Sequence, residues 1–126
     1  MGIEYINKTV LPKLSDFDLG YIAAFLDGEG SITFSKKGQY RVRFGNSNQE
    51  TIFWLREILG IGKIRIFKAR KKQHLDAFTF DIERQGDVWG FLELISSCLK
   101  IKQIKAYKVL DEIKQKYQKT LMVLGG

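Results

Sequence analysis

A run of apolar and small residues, Ile22-Ala23-Ala24-Phe25-Leu26, leads directly into Asp27-Gly28-Glu29-Gly30. The run reads as a helix that the glycines stop. Gly20, Ala23 and Ala24 are small and recur at one-turn spacing, so two such helices can approach backbone to backbone across a two-fold axis. The alanines would serve equally in a helix packed on its own sheet. Glu29 falls at the helix C-terminus, where the macrodipole is negative. In a symmetric pair its mate lies close by, and two such carboxylates either take up protons or bind cations.

A second set of residues repeats with a period of two. Ser31, Thr33, Ser35 and Lys37 alternate with Ile32 and Phe34, and Gln39, Arg41 and Arg43 alternate with Tyr40, Val42 and Phe44. Further on, Lys63, Arg65 and Phe67 oppose Ile64 and Ile66, while Thr79, Asp81 and Glu83 oppose Phe78, Phe80 and Ile82. Strict alternation is the pattern of half-buried strands, which puts all the polar members on one face. A merely solvated face mixes both signs of charge. Here the first three strands offer cations and neutral hydrogen-bonding groups, and only the fourth adds acids. Strands fit the DNA major groove, and Arg, Lys, Gln and Ser suit base edges and phosphates.

Positioning these residues takes a small set of elements. Ser15, with Asp18 three residues on, opens the first helix. Lys37-Gly38 breaks the first two strands as a hairpin turn. Ser47 and Glu50 open a second helix carrying Ile52, Leu55, Ile58 and Leu59, which ends at Gly60. Asp87 caps a third helix reaching about Leu99, and a fourth runs from roughly Gln103 to Gln118 with Lys105, Lys108, Lys114 and Lys116 on it. The order predicts an α+β domain with one four-stranded antiparallel sheet. It is a single domain over 1–126, with 1–14 as an N-terminal arm and 119–126 as a C-terminal tail.

The 126 residues suit one core, and 44% of them are hydrophobic. Twenty-one Lys and Arg against fourteen Asp and Glu leave a net charge of +7, which favours a polyanionic partner. No apolar run approaches a membrane span and no secretory leader pattern opens the chain. Cys98 is the only cysteine, so an internal disulfide is impossible and a reducing, intracellular compartment is expected: a prokaryotic cytoplasm, or an organelle or nucleus. One Cys and one His, His74 in a polar Lys-rich stretch, make a structural zinc site implausible.

The segment from Leu19 to Ile32 resembles the motif of the LAGLIDADG homing endonucleases. Ile22 through Gly30 stands in register with its nine residues, with Ala24 where the family has Gly and Glu29 where it has Asp. The helix-strand-strand-helix-strand-strand-helix order over about residues 15–118 is similar to the family core, and the single motif copy is that of its homodimeric members. The resemblance implies a sequence-specific, intron-encoded endonuclease that binds a long pseudo-palindromic duplex. It implies metal-dependent phosphodiester hydrolysis with Mg2+ or Mn2+, leaving short 3′ overhangs.

Residue by residue, the resemblance makes Glu29 catalytic and a metal ligand, with Gly28 beside it at the metal. It puts Gly20, Ala23, Ala24 and Asp27 in the dimer interface, Asp27 bonding across it; a plain capping carboxylate is the other reading of Asp27. Asn48 takes the place of a Gln or Asn near the active-site waters, and Lys102 that of a catalytic-pocket lysine, although a surface lysine in a basic helix is the simpler reading of Lys102. The expected DNA-binding set is Ser31, Thr33, Ser35, Lys37, Gln39, Arg41, Arg43, Lys63, Arg65, Thr79 and Asp81. Some relatives carry an Arg in the solvent pocket where this chain has Ile52. An intron maturase or transcriptional regulator on the same fold would keep affinity for DNA or RNA without cleaving it. The presence of both Glu29 and Lys102 favours the enzyme.

Overall fold

The computed structural model describes residues 6–35, 37–46, 48–70 and 76–125, with the backbone alone for 46 and 118–125. Helix α1 (Asp16–Glu29) leads into strands β1 (Gly30–Phe34) and β2 (Tyr40–Asn46), followed by α2 (Gln49–Leu59), β3 (Lys63–Phe67), β4 (Ala77–Ile82), α3 (Gln85–Ile95) and α4 (Gln103–Gly125). The four strands form one antiparallel sheet in the order β1-β2-β4-β3. This is the α+β architecture expected from the alternation.

One face of the sheet supplies Ile32, Val42, Phe44, Phe80 and Ile82, which are buried against Ile22 and Leu26 of α1, Ile52 and Leu55 of α2, and Phe91 and Ile95 of α3. Burying each large apolar side chain contributes roughly 1.5–3 kcal/mol relative to leaving it in water. Phe44 sits at the centre, edge-on to Phe25 at 5.3 Å and to Phe91 at 6.0 Å. The register Ser31↔Arg43, Arg43↔Asp81 and Lys63↔Asp81 places the polar residues of all four strands on the opposite face.

Ser15 caps α1 as expected, accepting the Asp18 N–H at 3.1 Å. The hairpin turns at Gly38, whose φ of 78° is open to glycine at little cost. At α2 the cap is Asn48, which accepts the Thr51 N–H at 3.1 Å; Ser47, the expected cap, lies outside the described residues, as does His74. Helix α3 begins at Gln85, so Asp87 lies inside its first turn instead of capping it. Asp87 is buried because it accepts the Thr9 hydroxyl at 2.6 Å and ties down the N-terminal arm, whose Thr9 N–H also donates to the Gly86 carbonyl. Gln85 continues the sheet with its side chain, accepting the Tyr40 N–H at 2.9 Å and donating to the Tyr40 carbonyl at 2.8 Å. Helix α4 extends to Gly125, so 119–125 of the expected C-terminal tail are helical; no Gly or Pro interrupts the helix before that point. Among the described residues no helix is long and apolar enough to cross a membrane.

Candidate functional site

Helix α1 passes into β1 within one residue. Gly30 donates its N–H to the Leu26 carbonyl, and a Cβ there would fall 2.4 Å from Leu26 Cδ1 and 3.0 Å from Leu26 Cα, so a larger residue would crowd the last turn of α1. The turn leaves Glu29 exposed at the helix tip, between the sheet face and the end of α1. Gly28 is exposed beside it, with open space around it. Its carbonyl belongs to the last turn, where a helix has no internal donors left.

Asp27 points instead at the segment before α4. Its carboxylate accepts the backbone N–H of Lys100 at 2.6 Å and of Lys102 at 2.9 Å, while the Lys102 ammonium donates to the Asp27 carbonyl at 2.7 Å. Partial burial works against the carboxylate's charge, but the N–H groups of Lys100, Lys102 and Ile101 outweigh it and hold its pKa below the usual range. Both carboxylate oxygens of Asp27, the residue expected to bond across an interface, are engaged within the chain. The contact carries Lys102 to the helix end that bears Glu29, where a cation also offsets the negative dipole. Asn48 and Glu29 line one open cleft of about 440 Å3, together with Tyr21, Ala24, Phe25, Gly28 and Thr51. Ile52 is fully buried in the core, so this position does not face the cleft.

On the sheet face, strand order changes the meaning of the acids. Because β4 lies between β2 and β3, Asp81 stands directly between cations. Arg43 donates from Nε to Oδ1 at 2.7 Å and from Nη2 to Oδ2 at 2.9 Å, and Arg65 reaches diagonally to the same Oδ2. Arg65 also bonds Glu83, and Arg41 lies 3.8 Å from Glu83. Asp81 has no exposed surface. Burial disfavours its charge, but the two guanidinium groups prevail and lower its pKa, as Arg65 does for Glu83. The bonds to Asp81 in turn push Arg43 upward. Asp81, expected among the DNA-binding residues, thus has its carboxylate committed to Arg43 and Arg65. At Thr79 the hydroxyl that would read a base is buried and has no partner. Thr33, Ser35, Lys37, Gln39 and Lys63 are exposed, and Ser31, Arg41, Arg43 and Arg65 are half-buried. The Ser35 hydroxyl accepts the Gln39 N–H at 3.2 Å, which makes it part of the hairpin turn.

No family model matches the sequence, and no curated protein matches it. Solved structures do. The homing endonuclease I-CvuI, in complex with the I-CreI target in 2 mM Mg with the DNA not cleaved, superposes with a TM-score of 0.61 at 20% identity, over 84% of this chain and 74% of that one. The same enzyme with its own target in 2 mM Ca gives 0.60 at 23% identity, over 84% and 74% of the two chains. The archaeal intron-encoded homing endonuclease I-Vdi141I complexed with DNA gives 0.53 at 19% identity, over 83% and 84%. The chain has the homing-endonuclease fold.

Within this homing-endonuclease fold the small residues of α1 fall in two environments. Phe17, Gly20, Tyr21, Ala24 and Gly28 are exposed at helical spacing, whereas Ala23 is only 2% exposed and packs into the chain's own core. Successive residues differ by about 100° around a helix, and here that rotation turns Ala23 to the core and Ala24 outward. Phe17 and Tyr21, with Trp54 of α2 edge-on to Tyr21 at 5.4 Å, are members of this face that small-residue spacing did not identify. Their visible signal is the i, i+3, i+4, i+7 phase running through Ala24. Glu83 likewise belongs to the arginine cluster, as its alternation with Asp81 allowed.

Proposed function

We propose that the chain is a LAGLIDADG homing endonuclease: a homodimer that binds a long pseudo-palindromic DNA duplex and hydrolyses a phosphodiester in each strand. The observation that carries this reading is the convergence at the end of α1. An exposed carboxylate, Glu29, stands there, and Lys102 is tied to Asp27 of the same turn from 75 positions along the chain. An arginine-bearing sheet face begins at the next residue. The homing endonuclease I-CvuI, which shares this fold, is seen bound to duplex DNA, and that supports the DNA-binding part of the reading.

Among the described residues no three His, Cys, Asp or Glu side chains cluster as a closed metal cage. Glu29 and the Gly28 carbonyl are nevertheless oxygen donors of the kind Mg2+ or Mn2+ takes, and that cation completes its shell from water and phosphate oxygens. When bound, the cation supplies charge for the phosphoryl and leaving oxygens. The chain's own residues do the rest. Gly20 and Ala24 let two α1 helices meet, which brings both Glu29 carboxylates near the two-fold axis. The sheet holds the duplex, Lys102 sets a positive charge beside the scissile phosphate, and Asn48 presents its amide to the solvent of the cleft.

The test is incubation with a plasmid carrying the uninterrupted allele of the host gene, with Mg2+, Mn2+ or EDTA. Linear product in the metals alone is expected. Specific binding without cutting in either metal would transfer the reading to the maturase or regulator.

A further inference from the structure

A sheet face selected only to grip phosphates gains nothing from two acids among its arginines. Asp81 and Glu83 offset much of the charge of Arg41, Arg43 and Arg65 and so reduce non-specific attraction. Asp81 is on the side of the sheet away from the hydrophobic core, so packing does not demand it either. A buried ion cluster of this kind is often no more stable than apolar residues of similar volume.

Its geometry does have a use. Arg43 is held through one edge of its guanidinium, with Nε and Nη2 on the two oxygens of Asp81 at 2.7 and 2.9 Å. Two parallel bonds fix the plane as well as the position of the group. The end of the fork, formed by Nη1 and the second N–H of Nη2, is the part that pairs with O6 and N7 of guanine in the major groove. The Arg43 side chain is 31% exposed, and it lies in the row Ser31, Arg43, Asp81, Lys63 across the middle of the sheet. Arg65, by contrast, meets both acids through Nη1 alone, which leaves its plane less constrained.

Resting on the reading of this sheet as the DNA face, we infer that Asp81 is a positioning residue for base specificity, which aims Arg43 at a guanine in each half-site. An arginine already fixed in its bound orientation loses little freedom on binding, and it misfits a base that lacks the paired acceptors.

The experiment is selection of bound duplexes from a randomised half-site library in Ca2+, with a salt titration and a thermal melt of each protein. Wild type is compared with Asp81→Asn, Asp81→Glu and Arg43→Lys. Wild type should prefer guanine at one position per half-site, and all three variants should lose about tenfold or more of that preference at the same position. Asp81→Asn should also bind non-specific DNA more tightly and with a steeper salt dependence, because a negative charge has left the face. A merely structural role would weaken specific and non-specific binding together. If Asp81→Asn does not fold, Asp81→Glu keeps the charge but shifts it by a methylene, and should lose the preference with an unchanged salt slope. Folded Asp81 variants that retain the full guanine preference overturn the assignment, as does a wild type with no guanine preference. A wild type that binds no duplex at all overturns the functional reading and the assignment with it.

Discussion

Lys102 donates to Asp27 twice: its ammonium to the Asp27 carbonyl at 2.7 Å, and its backbone N–H to the Asp27 carboxylate at 2.9 Å. The lysine is therefore held at the helix end by its main chain as well as its side chain. Asp27→Ala should cost about 1–3 kcal/mol of stability, since the N–H groups of Lys100 and Lys102 lose a charged acceptor. It should slow cleavage by displacing Lys102 and leave DNA affinity nearly unchanged. Denaturant titration and single-turnover assays check this, and equal losses in binding and cutting would refute it.

Glu29→Gln keeps the shape of the side chain and removes its charge. Cleavage should fall by several orders of magnitude, because charge stabilisation at the metal is expected to be the largest contribution to phosphoryl transfer here. Binding in Ca2+ or EDTA should persist. Lys102→Met should slow cutting less severely. A Glu29→Gln protein that cuts at near the wild-type rate would remove Glu29 from the mechanism.

The different placement of two adjacent alanines separates association from folding. Ala24→Leu lies on the exposed face of α1 and should block dimerisation while leaving the melting temperature of the monomer largely intact. Ala23→Leu, at a position 2% exposed, should instead destabilise the fold by roughly 1–3 kcal/mol through overpacking. Sedimentation and thermal melts distinguish the two. A wild type that stays monomeric at micromolar concentration, with and without DNA, contradicts the proposed dimer.

Lys63 is exposed on the sheet face, whereas Arg43 and Arg65 are tied to Asp81. Lys63→Ala should reduce the salt slope of binding by about one and weaken all sequences alike. Unaltered salt dependence would show that Lys63 does not approach the phosphates.

Asp27, Asp81 and Glu83 all have folded-state pKa values below their ordinary ones, through hydrogen bonds or guanidinium groups that outweigh burial. Groups shifted this way stabilise the fold fully above their unfolded values of about 4, and that stability is lost as the pH falls through the lower folded values. The melting temperature should hold from pH 7 to about 5 and drop below about 4. A curve flat down to pH 3 would mean these carboxylates contribute no net stability.

The sequence by itself determined the element types, the two faces of the sheet and the position of Glu29. Hydrophobic periodicity is a local property, and a strand's period of two leaves no doubt about which residues share a side. The caps were also partly legible, since Ser15 acts through its immediate neighbours. Tertiary structure decided what those signals could not carry. Whether Asp81 sits at an edge or between arginines depends on the order β1-β2-β4-β3, a pairing of segments distant in the chain. The separation of Ala23 from Ala24 depends on the exact phase of a helix against its core, which one residue's rotation reverses. The place of Lys102 depends on a carboxylate 75 positions away, and no local pattern in a lysine-rich segment marks which lysine that carboxylate will hold.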